Sequence, residues 1–160
     1  MTPGDPGPLA GIRILEVGTM LAGPYATMLL ADLGAEVTKI EPAGGEISRG
    51  VSDSYFASLN RNKSSICLDL NSEAGQQHLG ELVAESHALL VNLKPSAIRR
   101  LGLTYEALRR FNERIVCVAI TGFGLRHTLM NFGTGPAKPL VALMKSLPGS
   151  QRPSVYTKSL

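Results

Sequence analysis

The sequence predicts an α/β fold: a Rossmann-like parallel sheet with helices on both faces. Three observations predict it. Short β-branched or apolar runs recur from Ile12 to Gly122, capped or periodic helical segments separate most of them, and glycines and prolines fall at the joins. Strands divided by helices of this length form βαβ units, whose right-handed crossovers favour a parallel sheet covered on both sides.

"IRILEV" (Ile12 to Val17) reads as the first strand, bounded by Gly11 and Gly18. A helix follows from Pro24 to about Leu33, with proline at a first-turn position where its missing N–H costs nothing. Met28, Leu29 and Leu33 supply its expected apolar face, and Gly34 suits a left-handed stop. Glu36 to Glu41 reads as the second strand, and Pro42 to Ser54 as a polar, glycine-bearing loop. Ser64 to Leu70 is the third strand. Ser72 is placed to cap a helix in which Leu79, Leu82 and Val83 repeat at helical spacing. His87 to Leu93 is nearly all apolar, as a strand buried on both faces should be. Pro95 to Leu101 makes a short helix, and Thr104 caps another, with Leu103 and Leu108 as a hydrophobic staple. Arg114 to Gly122 is the fifth strand. After Gly124 the alternation stops, with one further helix expected at Leu140 to Leu147.

Charge divides the chain. Residues 1–124 hold 11 Lys+Arg against 13 Asp+Glu, a balance of −2; residues 125–160 hold 5 Lys+Arg and no acid, a balance of +5. The two sum to the formal +3, so the excess belongs to the ending. The organisation expected is an arm over 1–10, an α/β domain over 11–124 and a divergent basic tail over 125–160. A slightly acidic body gives no electrostatic reason to expect nucleic acid. No run approaches the ~18 apolar residues of a membrane helix, and the first residues lack the pattern of a secretory signal. Cys67 and Cys117 lie in apolar runs without CxxC spacing, so buried, reduced thiols in a cytoplasmic protein are expected, and no metal site.

Ligands of such sheets bind at the carboxyl ends of the strands. Three loops fall there: Gly18–Gly23, Asn71–Ser72 and Asn92–Ser96. The first is neither a Walker A motif nor GxGxxG, which argues against an ATPase and a nicotinamide enzyme. It leaves a helix start able to take an anion or a pyrophosphate, or a purely structural turn. Arg99, Arg100, Arg109 and Arg110 fit solvated helix faces, with Arg100 equally a ligand group. Asn92 suits a strand-end turn as well as a contact. His78 and His87 read as surface or capping groups. Asp32, Asp53 and Asp69 belong to turns and strand ends, with no paired acid or base beside them in sequence.

Four blocks occur in register: "PLAGIRILEVGTMLAGPYATMLLADLGAEVTKIEP", "SLNRNKSSICLDL", "VNLKPSAIRRLGLTYEALRR" and "RIVCVAITGFG". Together they resemble the N-terminal part of the family III CoA-transferases (CaiB-BaiF type), which include formyl-CoA, succinyl-CoA and carnitine CoA-transferases and the related α-methylacyl-CoA racemases. The resemblance covers about Pro8 to Gly124, and implies an α/β domain incomplete relative to the family fold. It implies coenzyme A or acyl-CoA as substrate, a carboxylic acid as the second substrate, and no prosthetic group. Met20, Leu21 and Ala22 match the loop whose backbone runs along the CoA. Leu68 and Asn71 match positions at the adenosine end, where a lysine often replaces Asn71. Asn92 and Leu93 match an Asn-aromatic pair at the adenine, and Leu93 lacks the stacking ring. Arg100 matches an arginine that pairs with the CoA phosphates, a task its planar fork suits. Pro42 stands where some members carry another phosphate-binding arginine, and Arg61 and Lys63 in "NRNK" are placed to supply charge instead.

The resemblance also implies how CoA is transferred: an aspartate attacks the thioester, forming an anhydride that the released thiolate reopens. That aspartate follows the "ITGFG" block in family members, whereas the last acid here is Glu113. His127 lacks the Gly-His-Asp context of the racemases. The expectation is a CoA-transferase fragment without its nucleophile, alternatively a non-catalytic CoA-binding module, a remnant of a disrupted gene, or a racemase-like fragment. Family members form interlinked homodimers that need the longer second half.

Overall fold

A computed structural model describes residues 7–122 and 124–125. All lie in the first of two units, Met1–Leu125; the tail assigned to 126–160, with the helix expected at Leu140 to Leu147, lies outside the described residues. The order is β1 (Arg13–Val17), α1 (Ala22–Asp32), β2 (Glu36–Glu41), a 3-10 turn (Ile47–Gly50), α2 (Asp53–Asn60), β3 (Lys63–Cys67), α3 (Glu73–Glu85), β4 (Ala88–Val91), α4 (Pro95–Arg100), α5 (Tyr105–Leu108) and β5 (Val116–Ala119). The five strands run parallel in the order β3-β2-β1-β4-β5. The chain therefore builds outward from β1 in one direction, then reverses and continues from β4 on the other side. That reversal, between β1 and β4, is the switch point at which open α/β sheets hold ligands.

Strand alternation sends each residue set to its own layer. Leu15, Val17, Ile40, Leu89 and Val91 form the larger core with Leu79 and Val83 of α3, Ile98 of α4 and Leu103, Leu108 and Ile115. Ile14 and Val37 face the other way, against Ala31 and Ala35. Leu9 packs on this smaller core and its N–H donates to the Leu33 carbonyl at 3.0 Å. The described part of the arm is thus docked rather than free.

Several local readings meet a different outcome. α1 buries Gly23, Pro24, Thr27, Met28 and Ala31, while Leu29 and Leu33 of the expected apolar face are exposed. Small residues win that face because the helix start lies tight on the strand ends. Its stop is as expected: Gly34 (φ +97°) donates to the Ala31 carbonyl at 2.9 Å and Ala35 to Leu30 at 3.1 Å, a Schellman pair. The loop expected over Pro42 to Ser54 holds the 3-10 turn and the start of α2, capped by Ser52, which accepts from the Tyr55 N–H at 3.1 Å. Ser72 caps α3 through the Gly75 N–H at 3.0 Å. Cys67 is exposed and Cys117 half-buried, correcting the expectation of two buried thiols. Both are free. Cys67 ends β3, the edge strand of the described sheet, so an apolar run there does not mean burial.

Candidate functional site

The loop after β1 is held from three sides by side chains of other segments. Asn92, just past β4, accepts from the Thr19 N–H and donates its amide to the Thr19 carbonyl, both at 2.8 Å. Lys39 of β2 donates to the Gly18 carbonyl at 3.0 Å. Glu46, from the loop after β2, accepts from the Met20 N–H at 3.3 Å. Met20 has φ +61°, a left-handed conformation that a residue with a side chain adopts only at a cost of about 1 kcal/mol or more, so the surrounding bonds fix it there. Gly18 and Gly23 make the close approach possible: a Cβ on either would sit 2.8 Å from Asn92 Oδ1. No side chain caps α1, and Pro24 has no N–H, so the helix start presents donors that intrahelical bonding leaves unused.

Beneath this loop lies a buried ionic layer. Glu16 is fully buried and Lys39 and Lys63 have side chains 1% exposed. Glu16 takes Lys39 Nζ at 2.7 Å, Lys63 Nζ at 2.8 Å and the Thr27 hydroxyl at 2.6 Å. Lys63 also reaches the Pro24 carbonyl at 2.8 Å and Asn60 at 3.1 Å. Burial alone would push the Glu16 carboxyl up, but the Lys39 charge and the Lys39, Lys63 and Thr27 hydrogen bonds hold it below its usual range. Burial lowers the Lys63 ammonium, with the Glu16 contacts opposing. One strand-end over, Arg49 forks onto Glu41 at 2.6 and 2.7 Å and stacks on the Phe56 ring at 3.8 Å. Burial opposes ionisation of Glu41, yet Arg49, Ser65 and the Glu46 N–H bring its pKa down to about 2.

The eight predicted ligand residues all fall at the carboxyl ends of the strands or on the helices leading from them. Met20, Leu21 and Ala22 are exposed, on the loop that Asn92 holds. Leu68 and Leu93 both pack on the rim of the larger core. Arg100 donates to the Asn71 side chain, joining the end of α4 to the loop after β3. Gln76 strengthens that join, donating to the Leu70 and Leu101 carbonyls at 2.7 and 3.0 Å. Asn92 bonds in both directions to the Thr19 peptide. Two residues do not serve as expected. Arg61 pairs with Asp32 at 2.6 Å, at the amino ends of the strands and so across the sheet from these loops. Lys63 is buried on Glu16. Neither replaces the charge missing at Pro42.

The motifs of the sequence do not point to this ionic layer. Its signal was there: Glu16 and Lys39, direct neighbours in the parallel register, are charges inside strands that otherwise read as buried. Among the described residues, no His, Cys, Asp and Glu group could hold a metal, and no helix is long and apolar enough to cross a membrane.

Comparison with known proteins agrees with this architecture. Residues 9–138 match CoA-transferase family III, 14 residues beyond the Gly124 at which the motif resemblance stops. The formyl-CoA:oxalate CoA-transferase of Streptomyces coelicolor is 43% identical over 123 residues, covering 72% of this chain and 30% of that protein. The human succinyl-CoA:glutarate CoA-transferase is 38% identical over 125 residues, covering 73% and 28%. A CAIB/BAIF family protein of Brucella suis superposes with a TM-score of 0.74 at 33% identity, over 79% of this chain and 36% of that one. The chain thus spans about a third of the length of the relatives it matches. With 130 of its 160 residues in the match, this chain belongs to CoA-transferase family III.

Proposed function

We propose that the chain supplies the coenzyme A-binding part of an enzyme that moves CoA from an acyl-CoA thioester to a carboxylic acid. The observation that carries the reading is the gathering of three strand-end loops. Asn92 ties the β1 and β4 loops together at the switch point, and the Arg100–Asn71 bond brings in the loop after β3. Met20, Leu21 and Ala22 would follow the pantetheine and pyrophosphate, with the open start of α1 meeting negative charge. Leu68 and Leu93 would give apolar cover to the adenine, and Arg100 would meet a phosphate.

The chain after Glu113 contains no Asp or Glu, so an aspartate nucleophile would have to come from outside residues 114–160. That favours, as a second reading, CoA binding by this polypeptide without turnover. Thermal unfolding with and without CoA tests the first part. A ligand at a hundred times its dissociation constant adds about 2.7 kcal/mol to the folded state, which raises the midpoint by several degrees. No shift at millimolar CoA overturns the binding site. A CoA-transfer assay with an acyl-CoA and a free acid separates the readings: turnover by the 160-residue chain rejects the non-catalytic one.

A further inference from the structure

Family resemblance places Asn92 against the adenine, but the geometry points elsewhere. Its carboxamide oxygen accepts from the Thr19 N–H and its amide donates to the Thr19 carbonyl, both at 2.8 Å, so the Thr19 peptide sets its orientation. The neighbouring backbone leaves that carboxamide little freedom, since Gly18 and Gly23 each approach it so closely that a methyl group would sit 2.8 Å from Oδ1. We infer that Asn92 is a positioning residue: it acts on the ligand through the Thr19–Met20 backbone, and does not bind the base. The inference rests on the CoA-binding reading and assigns this residue a different task within it.

The physical case is one of preorganisation. The Gly18–Met20 segment is a loop with a left-handed Met20 at its turn. Left free, it would sample other conformations, and ordering it would be charged against binding. Asn92 fixes Thr19 from the β4 side while Glu46 fixes Met20 from the β2 side. The Glu46 side chain is itself set by the Ser48 N–H, at 3.1 Å, and by the Ser48 hydroxyl. Held this way, the residues that follow, Leu21 and Ala22, enter α1 in one geometry. A substitution at Asn92 should therefore act on the part of CoA that the loop touches, while the adenosine end keeps its contacts at Asn71 and Arg100.

Two variants test this. Asn92→Ala removes the clamp. Gly23→Ala keeps Asn92 but drives a methyl group against its carboxamide (2.8 Å to Oδ1, 2.9 Å to Cγ), and an alanine inside a helix offsets part of any loss of stability. Hydrogen exchange is read at Thr19 to Gly23 and, as a control for global unfolding, at Leu89 to Val91. Binding of CoA and of adenosine 3′,5′-bisphosphate is measured by calorimetry. Both variants should exchange at least tenfold faster in the loop with the β4 core unchanged. Both should bind CoA at least tenfold more weakly, and adenosine 3′,5′-bisphosphate as the parent chain does. Unchanged loop exchange in Asn92→Ala overturns the inference. So does an equal loss of affinity for both ligands in Asn92→Ala with none in Gly23→Ala, the result of a direct base contact. Should Asn92→Ala unfold globally, Gly23→Ala alone decides. A parent chain that binds neither ligand refutes the CoA site instead, and the exchange data still judge the clamp.

Discussion

Replacing Glu16 with glutamine removes the one carboxylate bonded to both Lys39 and Lys63. All three side chains are 0–1% exposed, so the two ammonium groups stay in the interior with only neutral acceptors: the Gly18 and Pro24 carbonyls, Asn60 and the new amide. Breaking a buried pair by removing one partner costs about 3–5 kcal/mol. Against a total stability on the order of 5–15 kcal/mol, that is a large fraction. At 4–8 °C per kcal/mol for a domain of about 100 residues, the melting midpoint should fall by roughly 12 °C or more. Urea unfolding followed by circular dichroism gives the free energy directly. Removing the charges together, as Glu16→Leu with Lys39→Met and Lys63→Met, should recover most of the loss, because no charge is then left unpaired. The pH dependence has a definite sign. The Glu16 pKa is lowered on folding, so its stabilisation is complete above its ordinary pKa of 4.5 and is lost as pH falls through the folded value. Glu16→Gln should remove that slope from the acid limb. A Glu16→Gln chain within about 1 kcal/mol of the parent would refute the argument that these charges depend on one another.

Arg49→Met strips Glu41 of its bidentate partner and should raise its pKa from about 2 toward the ordinary 4.5; the stabilisation this pairing supplies above pH 4.5 is then lost, so denaturant unfolding should show a less stable chain at neutral pH and a flatter dependence between pH 4.5 and 2 than in the parent. Gly75→Ala would set a Cβ 1.9 Å from the Asp69 backbone carbonyl, where no flexible side chain can yield; a loss of about 1–3 kcal/mol or more is expected in denaturant unfolding. Asn71→Ala removes the bond from Arg100 that brings in the loop after β3, so calorimetry should show CoA binding about tenfold more weakly, the loss expected for one hydrogen bond to a charged group. Ellman's reagent should titrate Cys67 rapidly and Cys117 slowly, since burial and then the Glu106 charge push the Cys117 thiol up; two equally fast thiols would contradict the structure.

The architecture was legible because its signals are local. Strand β2 lies where "EVTKIE" predicts it, Ser72 caps α3, and Gly34 ends α1 in the left-handed region. Helix α2 has little local signal because eight residues of low hydropathy carry little periodicity, although Ser52 followed by Asp53 is a readable start. The placement of the three loops followed from parallel topology, which fixes the end of the sheet at which every β-to-α connection emerges.

What each side chain does there was decided by the tertiary structure. "NRNK" offers two cations to a phosphate, but one ends on Asp32 and the other beneath the loop on Glu16. Asn92 reads equally as a base contact or a turn former until Thr19, 73 positions away, is found against it. Glu16 and Lys39 are ordinary strand charges until parallel pairing makes them neighbours under α1. The sequence alone determined where the chain turns, because capping, periodicity and backbone freedom act over a few residues. Which polar groups satisfy one another was settled only by folding, because burial makes a partner obligatory while topology alone determines which partner is within reach.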